Sequence, residues 1–298
     1  MQNNKKTVLV FIVLAVIGII FYFAVSLIPK FYLISQHANI YYSALNYYKT
    51  NQLDKSVKIC SKLLNNNKNI DYQDLTISTC YEFTAEYYLR HKDLNKAELL
   101  YKKAIKINYY NKLLKVSMLG KFANCYIQEN KDAEAEQILK EILEIYSSTK
   151  ESHYELVDKE NYVTTYLEYG LLKAKQQDYR SSIKYYNKAL SLYSKYKLDY
   201  KALLQDINFQ LAEVYFQARD YNLAEESYKQ IILSLEKNDD NPIYLIKSYN
   251  RLARIYLTEK EYRLSKKYIQ KALNIKENNS VINDQKNYSQ LILKQILK

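Results

Sequence analysis

Six times between residues 37 and 279 the sequence sets a small residue directly after a larger one and a second small residue twelve positions on. The pairs are Ala44 with Ser56, Ala85 with Ala97, Ala123 with Ala135, Gly170 with Ser182, Ala212 with Ala224 and Ala253 with Ser265. An apolar or aromatic residue precedes the first small residue by four positions in all copies but the fifth, which has Asn208 there, and Tyr follows it by three in all copies but one. The second small residue is followed at +4 by a large apolar residue, Cys60 in the first copy excepted, and by Ala, Leu or Ile three further on. Positions three and four apart share a helix face, so each half of the unit reads as an amphipathic helix. Small residues at the crossing let two such helices approach closely while Tyr and Leu fill the surrounding space. With only 3 Gly and 2 Pro in 298 residues, the chain lacks the turn-formers that a sandwich, a barrel or a Rossmann sheet requires.

Short polar segments separate the halves: Thr50–Asn51–Gln52, His91–Lys92–Asp93, Glu129–Asn130–Lys131, Gln177–Asp178, Ala218–Arg219–Asp220 and Glu259–Lys260. The first small residues are 41, 38, 47, 42 and 41 positions apart, and most of that length is assigned to long helices. The stretch from Ser147–Thr149 to Glu160 reads as a true loop. The fourth copy is the least regular, with Lys173 in place of Tyr. Ser280 reads as the N-cap of a last helix in which Val281, Ile282, Tyr288, Leu291, Ile292 and Ile296 alternate with polar residues. A solenoid needs such a helix, covered on one face and wet on the other; a membrane-surface helix carrying Lys286, Lys294 and Lys298 is the alternative.

The copies Tyr81, Thr84–Ala85, Tyr88, Ala97, Tyr101, Ala104 and Leu119, Phe122–Ala123, Tyr126, Ala135, Leu139, Ile142 resemble the tetratricopeptide repeat, as does Tyr249, Leu252–Ala253, Tyr256, Ser265, Ile269, Ala272. The resemblance covers almost everything from residue 37 to 277, with units longer than the basic 34 residues, as in the extended branch that kinesin light chains resemble. It implies an all-α fold: a right-handed superhelical solenoid of about six helical hairpins over 37–279 and a C-terminal capping helix over 280–298. It also implies a non-catalytic scaffold holding a protein or peptide, with the first helix of each hairpin lining the concave side. On that side Lys247, Arg251 and Arg254 recur at i, i+4 and i+7, one cationic stripe, and Lys121 with Asn124 adds polar groups on the third hairpin. These five residues are the candidate partner-binding groove, suited to an acidic segment or a C-terminal carboxylate. The carboxylate clamp of chaperone-binding relatives is matched only in part: Lys247 and Arg251 fit its last helix, but Leu167 and Leu171 stand where Lys and Asn belong. Glu82, Glu86 and Glu213 make the groove mixed in charge.

From Val8 to Ile28 there is no charged residue. Twenty-one residues at about 1.5 Å each give roughly 31 Å of helix, close to the thickness of a bilayer core. Lys5 and Lys6 precede this stretch, and after Lys30 no cation occurs until Lys49. The bias of positive charge places a short N-terminus (1–6) in the cytoplasm, a signal-anchor helix at 7–28, a linker at 29–36, and the repeats on the exported side. The expectation is therefore a single-pass membrane protein serving envelope assembly, secretion or client holding. Ala24 and Ser26 have the small-x-small spacing of a signal-peptidase site, which would yield a secreted protein. An inverted anchor would yield a cytoplasmic-facing adaptor.

His37, His91 and His153 are scattered, no Cys or His lies at metal-ligand spacing, and three glycines cannot build a phosphate-cradling loop. No catalytic residue, cofactor or metal is assigned. The net charge of +12 is spread along the chain without a zinc finger, an RNP-like motif or a dense Arg cluster, so nucleic acid is not an expected partner. Cys60 and Cys125 read as small packing residues; a Cys60–Cys80 bridge is conceivable in an exported domain. The 34 tyrosines fill repeat core positions, and in pairs such as Tyr41–Tyr42, Tyr87–Tyr88 and Tyr185–Tyr186 one ring must point elsewhere.

Overall fold

The computed structural model describes residues 38–66, 75–107, 112–238, 241–277 and 279–297. The anchor, the linker and the candidate cleavage site at 1–36 lie outside them. Among the described residues no helix is long and apolar enough to cross a membrane. The chain divides into two compact units, Met1–Met118 and Leu119–Lys298.

In the first unit, helix α1 (38–49) is followed by α2 (Leu53–Asn66), α3 (Leu75–Arg90) and α4 (Leu94–Ile107). Their core holds Ala44, Cys60, Ile77, Cys80, Phe83, Ala104 and Met118. Cys60 and Cys80 are both buried free thiols. Helix α5 (Lys112–Gln128) runs across the boundary.

The second unit continues with α6 (Asp132–Ser148), α7 (Leu156–Lys175), α8 (Tyr179–Lys195), α9 (Lys201–Gln217), α10 (Tyr221–Asn238), α11 (Pro242–Thr258), α12 (Tyr262–Leu273) and α13 (Ser280–Ile296). Helices α7 and α8, α9 and α10, and α11 and α12 pair as hairpins, α8 packs on α9, α10 on α11, and α13 on both α11 and α12. Most helices here have 17 to 20 residues, so the length beyond the basic repeat lies mainly in the helices.

Every first small residue except Gly170, and every second one, is at most 1% exposed; Gly170 is also buried. Where the second is Ser, its hydroxyl donates to the carbonyl of the first. Ser56 reaches Ala44 at 2.9 Å, Ser182 reaches Gly170 at 2.7 Å and Ser265 reaches Ala253 at 2.7 Å. The small side chain thus gives the close approach, and its hydroxyl is satisfied by a carbonyl of the facing helix. Four residues beyond stand Cys60, Tyr101, Leu139, Tyr186, Tyr228 and Ile269, each 0% exposed. These six side chains are the centre of each hairpin.

All six hairpins close with the same turn. Asn51, Lys92, Asn130, Gln177, Arg219 and Lys260, each seven residues after the first small residue, have φ between 57° and 63°. In each, this residue's N–H donates to the carbonyl three back, and the next N–H donates to the carbonyl five back, as in Gln177 to Ala174 and Asp178 to Lys173. That pair of bonds is the Schellman motif, which satisfies carbonyls left open at a helix end. Glycine is the usual occupant of its left-handed position; this chain uses Asn, Lys, Gln and Arg.

Two boundaries differ from the sequence reading. The loop expected up to Glu160 is confined to 149–155, with a 3-10 turn at Glu151–His153. Helix α7 starts early because the Asp158 carboxylate accepts the Glu155 amide at 2.9 Å, and Tyr154 plugs the connection, donating its hydroxyl to the carbonyls of Tyr146 and Thr149. At the last helix Asn279, not Ser280, is the N-cap, its side chain accepting from Ile282 N at 3.0 Å. Helix α13 buries Ile282, Ser289 and Ile292 and leaves Leu291 half exposed at 54%.

The irregular Lys173 has a clear role: its ammonium lies 3.0 Å from Glu136 on α6. Lys173, with Lys140, holds the Glu136 carboxyl below the usual range. The second rings of the Tyr pairs also find partners. Tyr185 stacks on Tyr169 at 4.7 Å while Tyr186 fills the core, whereas Tyr42 is 67% exposed.

Candidate functional site: a polar cavity between α9, α11 and α13

Helix α11 starts abruptly because Asn241 adopts a left-handed conformation, caps Tyr244 N at 3.2 Å, and hands over to Pro242 in the first turn. From that start, Lys247, Asn250 and Arg251 share one face of α11. With Phe209 and Glu213 from α9 and Gln285 and Tyr288 from α13 they line a cavity of about 260 Å³.

Arg251 forms a two-pronged ion pair with Glu213, Nε to Oε1 at 2.8 Å and Nη2 to Oε2 at 2.7 Å. The Tyr228 hydroxyl donates to the same carboxylate at 2.6 Å. Burial opposes the charge on Arg251, but Glu213 overrides it and holds the guanidinium protonated. Burial, and then the Glu213 charge, push the Tyr228 phenol up. Arg251 also lies 4.9 Å from the Phe216 ring centre. The pair is a built part of the wall, because both geometry and charge are matched.

Asn250, 1% exposed, ties α11 to α13. Its amide donates to the Gln285 carbonyl at 3.0 Å and to Gln285 Oε1 at 3.2 Å, and its carbonyl accepts from Ser289 at 2.6 Å. Lys247 sits 5.7 Å from the Phe209 ring, which itself stacks on Tyr244 at 4.4 Å. Among the described residues Lys247 has no ion-pair partner, so it supplies the cavity with a positive charge.

Of the five residues singled out from sequence, Lys247 and Arg251 line this cavity. Arg254 lies one turn on, donating to Gln295 of α13 at 3.3 Å. Lys121 and Asn124 lie on α5, Asn124 accepting from Gln128 at 2.7 Å, and neither lines the cavity. The carboxylate expected to give mixed charge, Glu213, is the one that engages Arg251. Sequence reasoning missed Asn250, Gln285 and Tyr288. The available signal was an Asn inside a helix, where its propensity is poor, and the i, i+3 spacing of Gln285 and Tyr288.

Helical hairpins with paired small residues, closed by identical turns and ended by a half-covered helix, define a helical-repeat protein. The particular repeat is the tetratricopeptide repeat: models described by that name match residues 161–236 and 246–279, and those stretches are tetratricopeptide repeats. No curated protein matches the chain by sequence. Its fold is similar to BtubC from P. vanneervenii, with a TM-score of 0.61 at 15% identity, covering 77% of this chain and 92% of that one. It is also similar to pilF of Pseudomonas aeruginosa, with a TM-score of 0.56 at 14% identity, covering 83% and 95%. A third is the signal-transduction ATPase PH0952 from Pyrococcus horikoshii, described as having a tetratricopeptide repeat sensor. There the TM-score is 0.64 at 16% identity, covering 86% of this chain and 38% of that one. At such identities the likeness is one of fold.

Proposed function

We propose that the chain is a membrane-tethered interaction scaffold, and that an acidic segment of a protein partner docks through the cavity between α9, α11 and α13. The observation that carries this reading is the cavity's chemistry. Lys247 offers a charge to a carboxylate, while the Glu213–Arg251 pair and the Asn250–Gln285 bonds hold the walls in place. Pre-ordered walls lower the entropy lost on binding. The uncharged stretch Val8–Ile28 supports the tether, and the positive charge before it supports an exported repeat region.

A photo-crosslinker in place of Tyr288 in the full chain should capture a partner through an acidic segment, and Lys247→Glu should abolish the capture while helicity is retained. Capture unaffected by Lys247→Glu would remove the acidic docking reading. Reporters placed after Lys298 and before Val8 read the topology, and cytosolic activity of the C-terminal fusion would end the exported model.

A further inference from the structure

Helix α12 and its flanks are strongly basic, and of the four cations within the helix only Lys271 has an ion-pair partner among the described residues, Glu236 at 2.9 Å. Between residues 260 and 276 stand six cations, Lys260, Arg263, Lys266, Lys267, Lys271 and Lys276, against the single carboxylate Glu261. Ser265, Ile269 and Ala272 face the core, so Arg263, Lys266 and Lys267 fall on the outer face, where all three are exposed. Lysines on α4, α6 and α10 have carboxylate partners one turn away: Lys102 with Glu98 at 2.6 Å, Lys140 with Glu136 at 3.1 Å, and Lys229 with Glu225. Helix α8 also carries exposed Arg180, Lys184 and Lys188 without a carboxylate in the helix, but the ring at its start, Tyr179, packs against the core. Among the described residues Arg263, Lys266 and Lys267 have no ion-pair partner. At the start of the same face Tyr262 is 50% exposed.

The geometry points to the outer face of α12 as a docking surface for an anionic lipid bilayer. Four to eight cations on an amphipathic helix are the charge pattern that anionic headgroups recognise. An exposed Tyr at the edge of the patch matches the residue type that settles at the headgroup level. Nucleic acid fits less well, because one Arg among six cations leaves few planar donors for phosphate or base edges. The surface lies on a different helix from the cavity-facing Lys247 and Arg251, so a chain held by α12 can still present the cavity. The inference rests on the membrane reading above only for the advantage of proximity: a tethered chain meets the bilayer at high effective concentration.

The test uses the full chain with Gln270→Cys on the α12 outer face carrying an environment-sensitive dye, since Cys60, Cys80 and Cys125 are buried. In phosphatidylglycerol vesicles the dye should shift to the blue and resist aqueous quencher. In phosphatidylcholine, or at high salt, it should behave as in water. Arg263→Gln, Lys266→Gln and Lys267→Gln together should lower the docking constant roughly a hundredfold, about fivefold per charge removed. Removing equal charge from α8, by Arg180→Gln, Lys184→Gln and Lys188→Gln, should leave the shift in place. Equal loss from both triple variants, no difference between the lipids, or a shift produced by RNA alone would overturn the proposal. Alkaline extraction of the vesicles reads the anchor separately, so a failed anchor and a failed docking face give different results.

Discussion

The ring of Tyr186 occupies the space that a side chain on Gly170 would need. A β-carbon there would lie 2.3 Å from Tyr186 Cε1 and 2.5 Å from Cδ1, and the ring is completely buried. Ala85 and Ala212 face tyrosines at the same offset, Tyr101 and Tyr228; at Gly170 the crossing has no room for even a methyl group.

Gly170→Ala should therefore destabilise the second unit by about 1–3 kcal/mol, the usual range for overpacking, despite the helix propensity gained. Thermal or urea unfolding reads the loss. Adding Tyr186→Leu should restore part of it, and additive losses in the double variant would show that the two residues do not press on each other.

The hairpin turns give a prediction of opposite sign. A left-handed conformation costs an ordinary L-residue roughly 1–2 kcal/mol, so Lys92→Gly, Gln177→Gly, Arg219→Gly and Lys260→Gly should each stabilise by up to about 1 kcal/mol after the greater entropy of unfolded glycine is deducted. Asn51→Gly and Asn130→Gly should gain less, because Asn tolerates that region. Urea midpoints of the single variants would establish the order.

Glu168 makes stability depend on pH. It is 5% exposed on α7, Oε2 has no hydrogen-bond partner among the described residues, and burial raises its pKa well above the usual value. The folded state then keeps a proton that the unfolded chain releases above about pH 4.3. Stability contributed by this site is fully present below that value and falls as pH rises toward the raised folded pKa. Glu168→Gln should flatten this decline, seen as a smaller loss of melting temperature between acid and neutral pH. Parallel pH profiles for the two proteins would show that Glu168 ionises in the fold at its ordinary value.

Arg251 should act on stability as well as on binding. Arg251→Ala leaves Glu213, whose side chain is 12% exposed, without its bidentate partner, and should cost about 2–3 kcal/mol. Glu213→Gln with Arg251→Gln should lose less, because no charge is stranded. Lys247→Glu, with no such partner to strand, should leave the melting temperature nearly unchanged.

The hairpins and their turns were legible because each repeats: Ala85, Ala97 and Tyr101 recur with the same offsets in other copies, so packing and sequence carry one period. The cavity was half legible. Lys247 and Arg251 stand on one helical stripe, and stripes can be read along a single helix. That Glu213, 38 residues earlier, would take up Arg251 depends on how α9 faces α11, and that facing is set by the length of the intervening helices rather than by any local pattern. Lys121 and Asn124, on α5, do not line the cavity. The boundaries at Glu155 and Asn279 were missed because carboxylate and amide side chains, rather than the apolar stripe, decide where those helices begin.

Because each hairpin is closed by main-chain atoms at a fixed distance from its small residue, the joint is indifferent to what the outer faces carry. Helix α6, with Glu134, Glu136, Glu141 and Glu144, and helix α12, with its lysines, enter through the same corner. Surface character is thereby uncoupled from folding, and a lineage of such chains can recolour one face, or gain and lose whole hairpins, without inventing a new way to turn the chain.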